Sequence, residues 1–251
     1  TAQGAVMIQV EQLNWDLSCG KSLTPQPSKT PEQILAALNE SLKSLDLAGM
    51  VSRLPLINID IKQAHFYQHG QAVLEPLRIM GEVSSSQVQV KLSGKQERAL
   101  LILDKKNKQL TLKAQLSSAL LHSPLINLSG DIEIAPEVSL EGRFDDLSQF
   151  NLQFSTPVAI KQQVSKGLLR GKGLLNIAHQ QLVLTDLTLS AKLKQQVFSV
   201  GEFTLALTQP ATISLNKIEV VLEMSAKKAR WRKNKLPDFR LTSNMRYQPK
   251  E

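Results

Sequence analysis

Residues that could support catalysis are few in this sequence. Asp145 and Asp146 are adjacent carboxylates that could act as a general acid and base. They directly follow Phe144 at the end of an alternating stretch, however, and aspartate is a common turn residue. The nucleophile elbow Gly-x-Ser-x-Gly is missing from the sequence. We therefore expect a protein without enzymatic activity.

Two further residue sets could hold a metal ion or a phosphate. His65 and His69 are four positions apart and would share one face of a strand, but no cysteine or further histidine stands near them. Glycines recur at Gly167, Gly171 and Gly173 without the strand–loop–helix context that a phosphate loop requires. We interpret these glycines as bends or bulges within strands. We expect neither a metal site nor a cofactor.

The single cysteine, Cys19, has two interpretations. It is a free thiol of a cytoplasmic protein, or it pairs with a cysteine elsewhere in a longer, oxidised chain. The sequence begins at Thr1 without an apolar leader, and no stretch approaches the ~20 apolar residues that span a bilayer. We expect a processed protein or a fragment of a longer chain.

Basic residues give the chain 30 Lys and Arg against 22 Asp and Glu, a net charge of +8. Six of them cluster around Trp231 at positions Lys227, Lys228, Arg230, Arg232, Lys233 and Lys235. The cluster is either a solvated loop or edge strand, or a contact for anionic lipid or a protein partner through Lys227, Lys228, Arg230, Arg232 and Lys233. No helical or aromatic reading motif accompanies it, so we expect no nucleic-acid partner.

Alternation of apolar and polar residues between Ser86 and Phe154 is the main structural signal. A period of two predicts antiparallel strands with one apolar and one polar face. Aromatic residues are only 4% of the chain, so these faces are aliphatic and suit acyl chains as well as a protein core. The candidate lining residues are Val88, Val90, Leu92, Leu110, Leu112, Leu116, Ile132, Ile134, Val138, Leu140, Phe144, Leu152 and Phe154.

The elements that would position these residues are strands and one helix. Thr30 as N-cap and Pro31 at the first helical position, followed by leucines at helical spacing, predict an amphipathic helix near residues 31–47. Elsewhere the chain is predicted to be mainly β, a long antiparallel meander curled into an open groove or half-barrel over residues 1–251. A phase change in the first strand predicts a bulge near Glu11 and Gln12. A closed barrel would show the same alternation.

The order of these elements resembles a known family. The segments Leu17-Ser18-Cys19-Gly20, Lys29-Thr30-Pro31, Leu56-Ile57-Asn58-Ile59-Asp60 and Val88-Gln89-Val90-Lys91-Leu92-Ser93-Gly94 resemble the N-terminal part of YdbH-type proteins. These proteins belong with TamB and YhdP to the AsmA-like group. The resemblance covers residues 6–135 best and extends to the remainder only as a general β-rich character.

The resemblance implies a function in lipid transport. Members are anchored in the inner membrane of Gram-negative bacteria and cross the periplasm with a curled, β-taco-like sheet whose apolar lining carries phospholipids to the outer membrane. It implies that this chain is a periplasmic segment of such a bridge, that its ligands are phospholipid acyl chains, and that Cys19 pairs outside the segment. Exposed groove ends would allow a dimer.

Two alternatives remain open at this point. The chain is a structural β-rich module that binds a protein partner by its sheet edges or by the basic C-terminal region, or it is a soluble carrier or enzyme with a closed pocket.

Overall fold

The computed structural model describes residues 6–16, 49, 51, 54–68, 71–72, 75–117, 132–160, 165–179, 181–194, 197–214 and 217–247. Gly49 and Val51 are helical. The predicted helix over residues 31–47 lies outside the described residues, as do Cys19 and His69.

The described chain is dominated by strands, which confirms the prediction of a mainly β meander. The first nine are β1 (Val6–Asp16), β2 (Ile57–Gln68), β3 (Gln71–Ala72), β4 (Leu77–Val83), β5 (Gln87–Ser93), β6 (Arg98–Asp104), β7 (Gln109–Gln115), β8 (Ile132–Ile134) and β9 (Glu137–Arg143). The others are β10 (Phe150–Ile160), β11 (Ser165–Asn176), β12 (Gln181–Lys194), β13 (Phe198–Leu207), β14 (Ala211–Ser214), β15 (Lys217–Trp231), β16 (Asn234–Lys235) and β17 (Phe239–Tyr247).

The chain divides into two compact units. Unit 1 comprises Thr1–Leu128 and Ser139–Gln149, and unit 2 comprises Ser129–Val138 and Phe150–Glu251. The sequence-based prediction of one β-rich segment over residues 1–251 drew no boundary at these positions.

Unit 1 is a meander in which β2, β4, β5, β6 and β7 pair antiparallel in chain order. Its first pair departs from the prediction of antiparallel strands, because β1 runs parallel to β2 with Val6 opposite Ile57. A parallel pair needs a long crossover connection, and the chain between Asp16 and Ile57 is long enough to supply it.

The predicted bulge near Glu11 and Gln12 does not appear as a register shift between β1 and β2. Val10 lies opposite Ile61 and Leu13 opposite Ala64, a constant offset. The shift occurs instead between β2 and β4, from Ile61 to Ala64. The residues of β1 at which the alternation switches therefore pair with the residues of β2 at which the register to β4 shifts.

Unit 2 is a second antiparallel meander. β10 pairs with β11 and β8, and β11 pairs with β12. β13 and β14 both pair with β12 on one side and with β15 on the other, and β15 then pairs with β16 and β17. The register shifts between Lys172 and Gly173, where Thr185 of β12 is the extra residue, so the bulge lies in β12 opposite the glycines and not within β11.

Fully buried side chains are scarce in both units. Among the described residues, twelve apolar residues are buried, four of these are alanines, and Phe150 is the one large side chain that is fully buried. Sheets covered on one face by a second layer normally bury that face completely. The apolar faces of the two units are instead mostly half-buried.

Candidate functional site

The apolar side of unit 1, here called face 1, is continuous across six strands. Residues that lie opposite each other in neighbouring strands point to the same side of the sheet. Three rows of such residues cross β1, β2, β4, β5, β6 and β7. They are Val6–Ile57–Val83–Val88–Leu103–Leu110, Ile8–Ile59–Gly81–Val90–Leu101–Leu112 and Val10–Ile61–Ile79–Leu92–Ala99–Ala114.

Face 1 is buried at one end and half-buried or exposed over the rest. Val88 is 7% exposed and packs in a core cluster with Val51 and Phe144. The next two rows, which contain Val90, Leu92 and Leu112, are half-buried, and Ile8 of β1 is 41% exposed. These rows form an aliphatic surface that still touches water.

The opposite side of the same sheet carries ion pairs and is more polar, although Leu100 and Ile102 of β6 also lie on it. The guanidinium of Arg78 donates two hydrogen bonds to Asp60, at 3.0 and 2.9 Å, which lowers the pKa of that carboxyl. Lys62 Nζ lies 2.7 Å from Glu11 Oε1. The sheet therefore keeps charge on one side and leaves the other side for apolar contacts.

Asp145 and Asp146 are turn residues of unit 1. Asp145 accepts hydrogen bonds from Arg143 and pairs with Lys108 Nζ at 3.2 Å, and these partners lower its pKa to about 2. Asp146 accepts from the backbone and hydroxyl of Ser148, which lowers its pKa as well. Both carboxyls are ionised at neutral pH, so neither holds the proton that an acid and base pair would require.

Unit 2 has its own apolar side, here called face 2. Three of its rows are Ile134–Val158–Gly167–Ala191–Phe203–Ala226–Phe239, Thr156–Leu169–Leu189–Leu205–Met224–Leu241 and Phe150–Leu175–Leu182–Ile213–Ile218–Tyr247. Leu169, Leu189 and Leu205 are half-buried, and Leu241 on β17 is 54% exposed. Face 2 thus resembles face 1 in being mainly apolar and incompletely covered, although it includes Phe150, Phe203 and Phe239.

Glycine shapes face 2 where an aromatic ring crosses β11. Gly171 lies opposite Phe154, and a Cβ added to it would come within 2.3 Å of Cζ of that ring. The far edge of the ring therefore lies against the backbone of β11 at Gly171. It also packs with a core cluster that contains Leu184, Ala211 and Val220.

The structure distributes the thirteen predicted lining residues between the two units. Unit 1 contains Val88, Val90, Leu92, Leu110, Leu112, Leu116, Leu140 and Phe144, and unit 2 contains Ile132, Ile134, Val138, Leu152 and Phe154. Val88, Val90, Leu110 and Phe144 come together in one cluster. Leu92 and Leu112 lie on face 1 beyond it, whereas Leu116 follows the end of β7.

In unit 2, Ile134 lies opposite Val158, and Ile132 lies opposite Ile160. Leu152 lies opposite Gly173 on face 2. Val138 and Leu140 are two positions apart on β9, and both are half-buried.

Sequence reasoning missed large parts of both faces. The row through Leu169, Leu189 and Leu205 was absent from the predicted lining, as was the contribution of Ile8 and Ile59. The same alternation marks them in the sequence, but the predicted lining contained only residues between Ser86 and Phe154.

Other kinds of site lack support within the part of the chain that the structure describes. No group of three or more His, Cys, Asp or Glu residues is placed to hold a metal ion. Likewise, none of the described helical residues belongs to a helix that could cross a bilayer.

Comparison with protein-family models, with curated proteins and with solved structures finds no match for this chain. The two half-buried aliphatic faces are therefore the candidate site on physical grounds alone.

Proposed function

We propose that this protein shields phospholipid acyl chains on its half-buried aliphatic faces, as a periplasmic segment of a bridge-like lipid transfer protein. The single observation that supports this proposal is the continuity of face 1, whose rows are apolar across six strands and remain partly exposed. Contiguous apolar surface of this kind is rare on soluble proteins unless it meets a ligand or a partner.

Acyl chains suit this surface for physical reasons. Each methylene removed from water contributes about 0.8 kcal/mol, so even partial burial of a chain gives substantial binding. A lipid tail needs no hydrogen-bond partner. The apolar side of the sheet therefore does not have to supply one. A curled, open sheet would leave the headgroup in water, and no catalytic residue or cofactor would be needed.

The AsmA-like resemblance supports the same proposal from a different direction. A segment of a YdbH-type protein, with its parent chain anchored in the inner membrane, would carry phospholipid towards the outer membrane in outer membrane biogenesis. In this setting Cys19 would pair outside the segment, and exposed ends of the proposed groove would allow a dimer.

Lipid that co-purifies with the protein tests the proposal. The protein is purified from a Gram-negative host, and native mass spectrometry and organic extraction measure its bound lipid. The variant Leu112→Glu places a charge in the middle row of face 1. The matched control, Thr111→Glu, places the same charge on the other side of the same strand.

We expect phospholipid on the wild-type protein and on the Thr111→Glu control, and its loss from Leu112→Glu with an unchanged circular dichroism spectrum. A lipid-free wild-type protein would refute the proposal. If Leu112→Glu unfolds the chain, Leu112 belongs to a core. In that case Ile8→Glu, at a position that is 41% exposed, is the second variant, and lipid retained by it would also refute the proposal.

A second candidate function rests on β17. This strand pairs with β15, and the register pairings of the described strands give its second edge no partner. Its apolar residues Phe239, Leu241 and Met245 are 46%, 54% and 52% exposed. An unpaired edge with exposed apolar side chains can accept a further strand, so the alternative proposal is a structural module that binds a protein partner by its sheet edge. A lipid-free protein that forms a complex lost on Leu241→Lys would favour it.

A further inference from the structure

We propose that the basic hairpin β15–β16 of unit 2 docks onto an anionic membrane surface, with Trp231 entering the lipid interface. This inference goes beyond the proposed function, because it concerns a different surface and would hold whether or not faces 1 and 2 bind acyl chains.

Positive charge is concentrated in the unit that carries this hairpin. Unit 2 contains 16 Lys and Arg against nine Asp and Glu, a net charge of +7, whereas unit 1 has a net charge of +1. The hairpin and the strand leading to it contribute Lys227, Lys228, Arg230, Arg232, Lys233 and Lys235, and all six are exposed.

The acidic residues near the hairpin are already engaged. Lys228 Nζ donates to Glu202, and the backbone nitrogen of Lys228 lies 3.0 Å from Asp238 Oδ1. No carboxylate in the described part of the chain forms a salt bridge with Arg230, Arg232, Lys233 or Lys235. These cations are therefore free to meet an external anion.

An aromatic side chain stands among these cations. Trp231 is 50% exposed, and its ring lies 6.3 Å from that of Phe198, which supports it on one side. Exposed tryptophan beside lysine and arginine is typical of surfaces that sit at the boundary between lipid headgroups and acyl chains.

The loop of the hairpin holds an arginine in a conformation that favours glycine. Trp231 pairs with Asn234, so Arg232 and Lys233 form a two-residue loop, and Arg232 has a φ of 55°. The first position of such a loop with φ above zero usually holds glycine. The turn therefore presents the exposed side chain of Arg232 at the tip of the hairpin.

Further cations lie at the same end of the sheet. Lys166 of β11 lies directly opposite Lys192 of β12, and both are exposed. Both line an open groove of about 480 Å³ together with Glu202, which pairs with Lys228 of the strand that leads to the hairpin. The two lysines therefore add to the positive charge at this end of the sheet.

Vesicle binding tests the proposal with the complete chain. The probes are phosphatidylcholine vesicles with about one third phosphatidylglycerol and vesicles of phosphatidylcholine alone. Trp15→Phe leaves Trp231 as the single tryptophan, so its emission reports on the hairpin. The hairpin variant combines Arg230→Gln, Arg232→Gln, Lys233→Gln and Lys235→Gln. The control variant removes four charges from unit 1 by Lys91→Gln, Lys105→Gln, Lys106→Gln and Lys113→Gln.

We expect binding to the anionic vesicles alone, with a blue shift of the Trp231 emission and weaker binding at high salt. Each cation at an anionic surface contributes about fivefold, so the hairpin variant should bind more than a hundredfold more weakly. The control variant should lose much less. Equal losses in the two variants, equal binding to both vesicles, or a blue shift produced by free inorganic phosphate would each overturn the proposal.

One substitution, Arg232→Gly, distinguishes a role of Arg232 in membrane docking from a role in stabilising the fold. Arg232→Gly removes the strain at φ 55°, so it should raise the melting temperature while it weakens vesicle binding about fivefold. A structural role for Arg232 predicts the reverse, a lower melting temperature with unchanged binding.

Discussion

Gly171→Ala is a direct test of how face 2 is packed. A Cβ at this position would lie 2.3 Å from Cζ and 2.5 Å from Cε1 of Phe154, far inside an ordinary carbon–carbon contact. The ring cannot simply move away, because it packs against the cluster that contains Leu184 and Val220. The substitution therefore forces either the ring or the backbone of β11 out of place.

Two opposing contributions set the magnitude. Replacing glycine by alanine stabilises a protein by about 0.4–1 kcal/mol where the backbone conformation suits alanine, because the unfolded chain loses freedom. Forcing an extra methyl into a packed site costs about 1–3 kcal/mol. We therefore expect Gly171→Ala to lower the free energy of unfolding by about 1–2 kcal/mol.

Gly81 on face 1 provides the matched control. A Cβ at Gly81 would meet Cβ of Ile59 at 3.5 Å, an ordinary contact, so Gly81→Ala should be neutral or stabilising by up to about 1 kcal/mol. Urea unfolding of both variants measures the difference. Phe154→Leu, which removes the far end of the ring, should restore most of the loss in the double variant. Equal stability of the two alanine variants, or no rescue by Phe154→Leu, would refute the reasoning.

Two further predictions concern the core and the turns. Phe150→Ala should cost about 3–5 kcal/mol in urea unfolding because the ring is fully buried, whereas Leu241→Ala, at a position 54% exposed, should change stability by less than about 1 kcal/mol. The pKa of Asp145 is lowered to about 2 by Arg143 and Lys108, so its contribution to stability is complete above pH 4 and lost as the pH falls towards 2. The melting temperature of the wild type should therefore exceed that of Asp145→Asn at pH 5 and converge with it near pH 2; a constant difference would contradict this assignment.

Alternation in the sequence was sufficient to predict the class of the fold. A side chain's face depends only on whether its position in the strand is odd or even, so Val88, Val90 and Leu92 could be assigned to one side before the structure was known. The glycines of β11 were likewise placed in a strand, although the bulged residue opposite them, Thr185, belongs to β12.

Long-range pairing could not be predicted in the same way. Nothing local in β1 distinguishes a parallel neighbour from an antiparallel one, so the pairing of Val6 with Ile57 was missed. Alternation also does not say how far a face is covered. Val88 and Leu112 have the same pattern in the sequence, yet Val88 is buried beneath Phe144 and Leu112 remains half-buried.

The rows of face 1 differ in how far they are buried, and this difference separates a row that stabilises the fold from rows that remain open to a ligand. The row through Val88 and Leu110 meets Phe144 and contributes to stability as a small core. Val90 also packs against this core, whereas the row through Leu92 lies beyond it. The positions of both rows alternate with charged or polar residues such as Lys91 on the other side of the sheet. A slip of one residue along β5 or β7 would put lysine, glutamine or threonine among the apolar rows, so the register that holds the core also keeps the open rows apolar. The half-buried rows thus retain a continuous aliphatic surface without any motif of their own, which is what a site for acyl chains requires.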